Sequence, residues 1–387
     1  MMISDLNQKL IKKQIKFNWS GISTIFDSSQ ALFSSVDIDL GTRALLNSLR
    51  KNKELDLSRV LDLGCGYGPI GIFLKKQDPT REIVMTDRDL LAVKFTQHNA
   101  LLNETDVTVL PALDYEGIKE KFSLIITNFP AKLEKQGLFG FIAKASRTLL
   151  AQGVFAIVVV QELCADLEDI LVDLGDKVRL CYLEKKKGYT IFHLKFNDTI
   201  EGEVNYQRGT LELLNEYLQD DKRLKVLTAR GLPEFDTLSY DTQLLISLLK
   251  GFSSAPESLY VLESGQGHGV VAAALLCKSI KEISLNSRDL LALRFSKRNL
   301  EAYFEETIHL FPKPYLDTLP IVDLLIWNVR SKNNLVVHEV NAALLKQNRE
   351  KMLFYGEASI LEYLIAKYSF KCIKKVYNKG YVALLVN

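Results

Sequence analysis

Residues 60–71 read VLDLGCGYGPIG. The run 59–63 is apolar apart from Arg59 and Asp62, as a short strand buried in a parallel sheet is. It leads into Gly64, Gly66 and Gly68, and Pro69 stands where its fixed φ suits the first turn of a helix. Glycines in such a turn let the backbone reverse tightly and come close to a ligand. Asp87 lies twenty-one residues beyond Gly66, the spacing of a carboxylate that ends the next strand and grips ribose hydroxyls. Asp62 precedes the glycines, and no third-glycine pyrophosphate spacing is needed. These features favour a nucleoside ligand without a pyrophosphate, with Asp62 indirectly holding an ammonium group.

Apolar runs at 82–86, 107–110, 124–127 and 154–160 predict further buried strands. Helical spacing of apolar residues at 70–76, 90–102 and 140–150 separates them. Strand–helix alternation with continuous apolar strands predicts an α/β unit built on a parallel, doubly wound sheet. The strand at Lys187-Gly188-Tyr189 closes an antiparallel hairpin at its end.

The chain then repeats itself. Residues 82–100 and 282–300 agree at nine of nineteen positions, at an offset of 200. RVLDLGCGYGPIG from Arg59 faces YVLESGQGHGVVA from Tyr260, and SLIITNFPAK from Ser123 faces DLLIWNVRSK from Asp323. DLGTRALLNSL from Asp39 and KKKGYTIFHLKF from Lys185 have counterparts from Ser239 and Tyr377. Five matches in one order indicate a tandem duplication of a unit of roughly 190 residues. The divisions are 1–197, a linker at 198–206, and 207–387.

Composition narrows the function classes. The 387 residues are 47% hydrophobic and 25% charged, with net charge +2, which excludes a disordered or collagenous chain and a globally basic nucleic-acid binder. Purely apolar runs such as 154–160 are far short of the ~20 residues of a membrane-spanning helix. No apolar signal segment follows the N-terminus. The five cysteines form no CxxC pair and the five histidines have no ligand spacing, so neither a metal site nor a disulfide framework is expected and a reducing cytoplasm is. Basic residues cluster at Lys9, Lys12, Lys13 and Lys16, at Lys185, Lys186 and Lys187, and at Arg288, Arg294, Lys297 and Arg298. Each cluster reads as a solvated face or a phosphate-contacting stripe.

At these residues the chain resembles the class I S-adenosylmethionine-dependent methyltransferases. More narrowly, it resembles the "methyltransferase small" family, which includes the ribosomal RNA guanine-N2 methyltransferases. The likeness rests on the glycine loop, Asp87, and Asn128-Phe129-Pro130 at the end of the fourth strand. Phe33-Ser34 and Asp39-x-Gly41-Thr-Arg before the core, and Lys187-Gly188-Tyr189 after it, add to it. It spans most of 22–196 and recurs more weakly through 230–387. The resemblance implies two tandem Rossmann-like domains, each a mostly parallel doubly wound sheet with an antiparallel C-terminal hairpin, the first live and the second degenerate. It also implies S-adenosyl-L-methionine as cofactor. Asp62, Gly64, Cys65, Gly66 and Gly68 would then line its methionine end, Asp87 its ribose and Asp114 its adenine amine.

By the same resemblance Asn128, Phe129 and Pro130 form the catalytic motif. The lone pair of an amide or nucleobase NH2 is delocalised, so the nitrogen is a poor nucleophile. The Asn128 side-chain oxygen and the Phe129 carbonyl would each accept one N–H and turn the lone pair toward the methyl group. Phe129 stands where the family has a proline, and Ala131 where it has a bulky residue packed on the base. Phe129 or Tyr67 is expected to supply that stacking. In the second copy the loop reads ESGQGHG from Glu263, Ser287 faces Asp87, Asn328 remains and Arg330 faces Pro130. Cofactor binding is expected to have decayed there, leaving Arg288, Arg294, Lys297, Arg298, Arg330 and Lys332 for RNA contact. The expected function is methylation of an exocyclic amine, guanine N2 of ribosomal RNA first, by a cytoplasmic monomer acting on ribosomal RNA or a ribosomal subunit. A protein-glutamine or small-molecule N-methyltransferase, and an inactive assembly factor that binds RNA, are the alternatives.

Overall fold

The run at 59–63 is an interior strand of its sheet, paired on both sides. In the computed structural model, which describes residues 6–53, 55–213, 224–348 and 350–387, the chain divides into two units, Met1–Tyr206 and Gln207–Asn387. The first contains β1 (Lys13–Trp19), β2 (Ile22–Ser28), α1 (Leu40–Lys51), β3 (Arg59–Leu63), α2 (Pro69–Gln77), β4 (Glu82–Asp87) and α3 (Leu90–Leu102). It continues with β5 (Thr108–Pro111), β6 (Phe122–Asn128), α4 (Glu134–Thr148), β7 (Leu149–Val160), α5 (Cys164–Leu174), β8 (Val178–Lys186) and β9 (Tyr189–Phe196).

Seven strands form one sheet in the order β5-β4-β3-β6-β7-β9-β8. The β5–β7 ladders are parallel, and β9 runs antiparallel to both β7 and β8. Helices cover both faces, so β6 is buried along its length until Asn128. The chain proceeds from β3 to β4 and β5 on one side, then returns to β6 and β7 on the other. That reversal places a switch point between β3 and β6, and ligands of open α/β sheets bind there, beyond the carboxyl ends of the strands.

Two features depart from the sequence expectation. The helix expected at 140–150 begins at Glu134 and yields to strand at Leu149, which pairs with Phe122 in the ladder. The lysines at 13 and 16 lie on a hairpin, β1–β2, from which Ile15 and Phe17 alternate inward. Residues 198–206 lie within the first unit: Ile200 and Tyr206 are buried, and Arg147 of α4 donates to the Gly202 carbonyl and pairs with Glu203.

The second unit contains β10 (Gln207–Leu213), β11 (Leu224–Ala229), α6 (Tyr240–Lys250), β12 (Ser258–Leu262), α7 (His268–Leu276), β13 (Glu282–Ser287) and α8 (Leu290–Glu301). After these come β14 (Thr307–Pro312), β15 (Leu324–Val329), α9 (Leu335–Leu345), β16 (Lys351–Glu357), α10 (Ala358–Tyr368), β17 (Cys372–Asn378) and β18 (Tyr381–Val386). Its sheet order, β14-β13-β12-β15-β16-β18-β17, is that of the first unit strand for strand. Asn99 and Asn299, identical in the repeat, do the same work in each. Asn99 accepts from the Asp27 amide at 2.8 Å and donates to the carbonyls of Asp27 and Tyr67 at 3.0 and 2.8 Å. Asn299 accepts from the Leu227 amide at 2.8 Å and donates to Leu227 and Gln266 at 2.9 and 2.7 Å. Each buried amide thus ties an N-terminal hairpin to its glycine loop. Among the described residues no helix is long and apolar enough to cross a membrane.

Candidate functional site

The turn after β3 is built by backbone that favours glycine. Gly64, Gly66 and Gly68 have φ of +71°, +59° and +98°. Gly68 caps α2, with Pro69 at its first position. The amides of Gly64 and Cys65 donate to the Thr86 carbonyl at 2.8 and 3.0 Å, locking the turn to the end of β4. A side chain added at Gly64 or Gly66 would meet no atom within 4 Å, so the loop faces open space.

Asp87, half-buried at the end of β4, accepts the Gly66 amide at 2.9 Å and the Asp89 amide at 2.8 Å. Burial, with the Asp89 charge beside it, pushes its carboxyl up to about 7. Asp62 is 1% exposed and accepts the Gly71 amide at 3.0 Å. It therefore holds the start of α2, and through it the loop. Burial pushes its carboxyl up to about 7 as well, against the Gly71 bond and with the Asp87 charge.

Cys65 turns inward: its thiol is buried 3.6 Å from Thr96 Oγ1, which leaves its backbone for the loop. Asp114, after β5, takes a left-handed φ of +55° and accepts the Tyr206 hydroxyl. Its carbonyl accepts from Thr86 Oγ1 at 3.4 Å, which brings it to the same edge of the sheet as Asp87.

Asn128 ends β6, the strand beside β3. Its Nδ2 donates to Asp39 Oδ2 at 2.7 Å. A carboxylate can only accept, so the amide nitrogen must face Asp39 and Oδ1 must point the other way. Asp39 caps α1, also accepting the Thr42 amide at 3.2 Å. Gly41 leaves room for this pair: a Cβ there would lie 2.9 Å from Asp39 Oδ2 and 3.1 Å from Asn128 Nδ2. Asp39 and Gly41 are visible in the sequence as a motif, but nothing local assigns them to Asn128. Phe129 does not face the site. It is buried edge-on to Phe141, ring centroids 5.1 Å apart, because an apolar ring at this turn packs down on α4. Tyr67 is buried as well, its ring against Phe26 and its hydroxyl on the Ser34 and Asp37 carbonyls. The stacking expected of either residue is absent.

With this geometry in place, likeness to known proteins becomes informative. The pattern of the Methyltransferase small domain matches residues 23–193. YbxB, an uncharacterized protein of Bacillus subtilis, is 32% identical over 174 residues, which are 44% of this chain and 85% of that protein. The chain belongs to the methyltransferase small domain family. Ribosomal RNA small subunit methyltransferase C of Actinobacillus pleuropneumoniae is 39% identical over 100 residues, covering 26% of this chain but only 30% of that enzyme. Over nearly full length, the fold matches the T. thermophilus 16S rRNA N2 G1207 methyltransferase (RsmC), solved in complex with AdoMet and guanosine. That match has a TM-score of 0.71 over 99% of this chain and 100% of the other, at 13% identity.

The family's glycine loop persists in the second unit with its shape intact but shifted in register. Gly265 and Gly267 have φ of +57° and +98°, matching Gly66 and Gly68, so Glu263 occupies the position of Gly64 at φ +59°. The sequence pairing had set Glu263 against Asp62. In the structure Val261 stands there, because β12 pairs with β13 one residue out of step with the repeat offset. Ser287 replaces Asp87 and donates to Glu263 at 3.4 Å.

Arg330 is not available to RNA. Its Nε and Nη2 bind Asp241 at 2.5 and 3.1 Å, and Nη1 binds Glu234 at 2.8 Å. Burial alone would raise the Glu234 carboxyl, but Arg330 more than offsets it and holds it well below the usual range. Asp241 stands at the position of Gly41 and Arg330 at that of Pro130. The space kept beside Asn128 in the first unit is thus filled by an ion pair in the second. Arg294 and Arg298 stay exposed on α8, Lys297 lies 3.4 Å from Glu301, and Arg288 is half-buried.

Proposed function

We propose that the first unit transfers a methyl group to an exocyclic amine, guanine N2 of small-subunit ribosomal RNA, and that S-adenosylmethionine is the methyl donor. The observation that carries this reading is the Asn128 amide, fixed by Asp39 with its oxygen turned away from that bond. Bound S-adenosylmethionine supplies an electrophilic methyl group on a sulfonium. Gly64, Cys65, Gly66 and Gly68 offer backbone to its methionine end, Asp62 supports them through Gly71, and Asp87 accepts from the ribose hydroxyls. Asp114 lies beyond Asp87 for the adenine amine. The open space above Gly64 and Gly66 suits such a ligand.

Asn128 Oδ1 and the Phe129 carbonyl each accept one N–H of the target amine. Both protons held, the nitrogen lone pair would be directed at the methyl carbon, forming the N–C bond as the methyl–sulfur bond breaks and its electron pair stays on the sulfur as a neutral thioether, and one amine proton would then pass to water. Positioning and fixed dipoles lower the barrier, so no strong base is needed before transfer. Pro130 stiffens the turn that presents the two acceptors. The second unit, its corresponding position filled by Arg330 and Asp241, serves folding or substrate grip rather than turnover.

The test is mass mapping of ribosomal RNA nucleosides from cells with and without the gene, beside calorimetry with S-adenosylmethionine. Loss of one N2-methylguanosine supports the reading. Unchanged RNA together with methylation of a peptide glutamine or small amine refutes the RNA substrate, and absence of cofactor binding refutes the enzyme.

A further inference from the structure

Among the described residues of the first unit one aromatic side chain stands out in solvent: Phe33 is 77% exposed. Val36 on the same segment and Leu40, which opens α1, are 68% and 67% exposed. Their backbone is pinned. Tyr67, inside the glycine loop, donates its hydroxyl to the Ser34 and Asp37 carbonyls at 3.4 Å each. Lys13 donates to the Val36 carbonyl at 2.5 Å, and Arg43 to the Ile38 carbonyl at 3.0 Å and the Asp37 carboxylate at 2.8 Å. The segment ends at Asp39, which holds Asn128. It therefore bridges the glycine loop and the candidate catalytic amide, with carbonyls turned to the protein and the Phe33 and Val36 side chains to water while Ile38 is buried. Immediately after Asn128 and Phe129, Pro130, Ala131 and Lys132 are exposed.

We propose that Phe33 is the platform on which the extruded target base stacks, with Lys132 meeting a flanking phosphate; this rests on the reading of the first unit as an RNA methyltransferase. An exocyclic amine within a paired stack cannot present both its N–H groups to the half-buried Asn128, so the nucleotide must be turned out of the stack, and an aromatic face replaces the stacking it loses. Phe129 and Tyr67, at 2% and 3% exposure, have no free face to offer. The same contacts disfavour a peptide. An extended peptide binds by main-chain bonds, and the carbonyls of Ser34, Val36, Asp37 and Ile38 already accept bonds from within the unit.

The test uses the full-length chain with an unmodified transcript of small-subunit ribosomal RNA and tritiated S-adenosylmethionine. Phe33→Ala and Phe33→Leu should lower kcat/KM for RNA on the order of tenfold or more, chiefly through KM, with cofactor affinity unchanged. Phe33→Trp, which keeps a π-face, should stay within about threefold of wild type. Lys132→Gln should weaken RNA binding and reduce the slope of log affinity against log salt by about 0.7. If Phe33→Ala keeps kcat/KM within about twofold while Asn128→Ala abolishes transfer, the platform is refuted and the methyltransferase reading stands. If Phe33→Trp is as poor as Phe33→Ala, stacking is refuted. If wild type methylates a glutamine peptide and not RNA, both fall.

Discussion

Asn128 donates its side-chain amide to Asp39 at 2.7 Å, across 89 residues of chain. The bond turns a freely rotating amide into a fixed acceptor, since the carboxylate can pair only with the amide nitrogen. Removing Asp39 should leave Asn128 in place but unoriented. Asp39→Ala is expected to lower kcat by about 10- to 100-fold with KM for RNA and cofactor affinity little changed, and Asp39→Asn by less. Gly41→Ala should act in the same direction, because its Cβ would lie 2.9 Å from Asp39 Oδ2. Single-turnover methyl transfer separates this positioning role from substrate binding.

Asp62 gives a stability prediction with a defined sign. Its carboxyl sits at about 7 in the folded protein against 3.8 ordinarily, because burial outweighs the Gly71 bond. Between those values the folded state holds the proton more tightly than the unfolded chain, so stability falls as pH rises through this window. Asp62→Asn is neutral throughout, and its Oδ1 can still accept the Gly71 amide. The variant should melt a few degrees above wild type at pH 8.5, a shift of ~1 kcal/mol or more, and the gap should narrow as pH falls to 5. Thermal melts at the two pH values measure it.

Asp87 makes cofactor affinity depend on pH. Two backbone amides already draw on its oxygens, at 2.9 and 2.8 Å, and burial pushes its carboxyl up to about 7. Ribose hydroxyls are donors, so the ionised form binds better. Affinity for S-adenosylmethionine should be level above pH 8 and weaken by up to about tenfold per pH unit below 7. Asp87→Ala should bind at least about tenfold more weakly and lose the pH step, whereas Asp62→Asn should keep it. Calorimetry across pH 5.5–8.5 distinguishes them.

The parallel sheet was legible because its inner strands are apolar runs bounded by helical spacing, and the duplication doubled the signal, whereas the strand order and the largely exposed β8 carry no such mark. The glycine loop was legible because Gly64, Gly66 and Gly68 all require left-handed backbone. What sequence could not carry was contact across strands. Nothing in Asp39-x-Gly41 names Asn128, and nothing in Phe129 says that its ring turns down on Phe141. The register of the second loop was misread because Glu263 occupies a glycine's backbone conformation without being glycine. Arg330 shows the same limit. Its charge suggested a surface, but its partners Glu234 and Asp241 lie 96 and 89 residues upstream.

That Arg330 network supplies the last prediction. Asp241 is fully buried and Glu234 nearly so, and Arg330 is their shared cation, with Ser239 Oγ and Thr242 Oγ1 at 2.7 and 2.8 Å completing its donors. Taking the guanidinium away leaves two buried carboxylates without their shared cation, although Glu234 still accepts from Ser239 and Thr242, so Arg330→Met should destabilise the second unit by about 3–5 kcal/mol. Asp241→Gly together with Arg330→Pro restores the residues of the first copy and removes both charges of the closest pair. If the two positions changed as a coupled pair, the double variant should cost less than the sum of the singles by at least about 1 kcal/mol. Denaturant unfolding of the four proteins completes the cycle, and strict additivity would mean that the filled position in the second unit arose by independent changes.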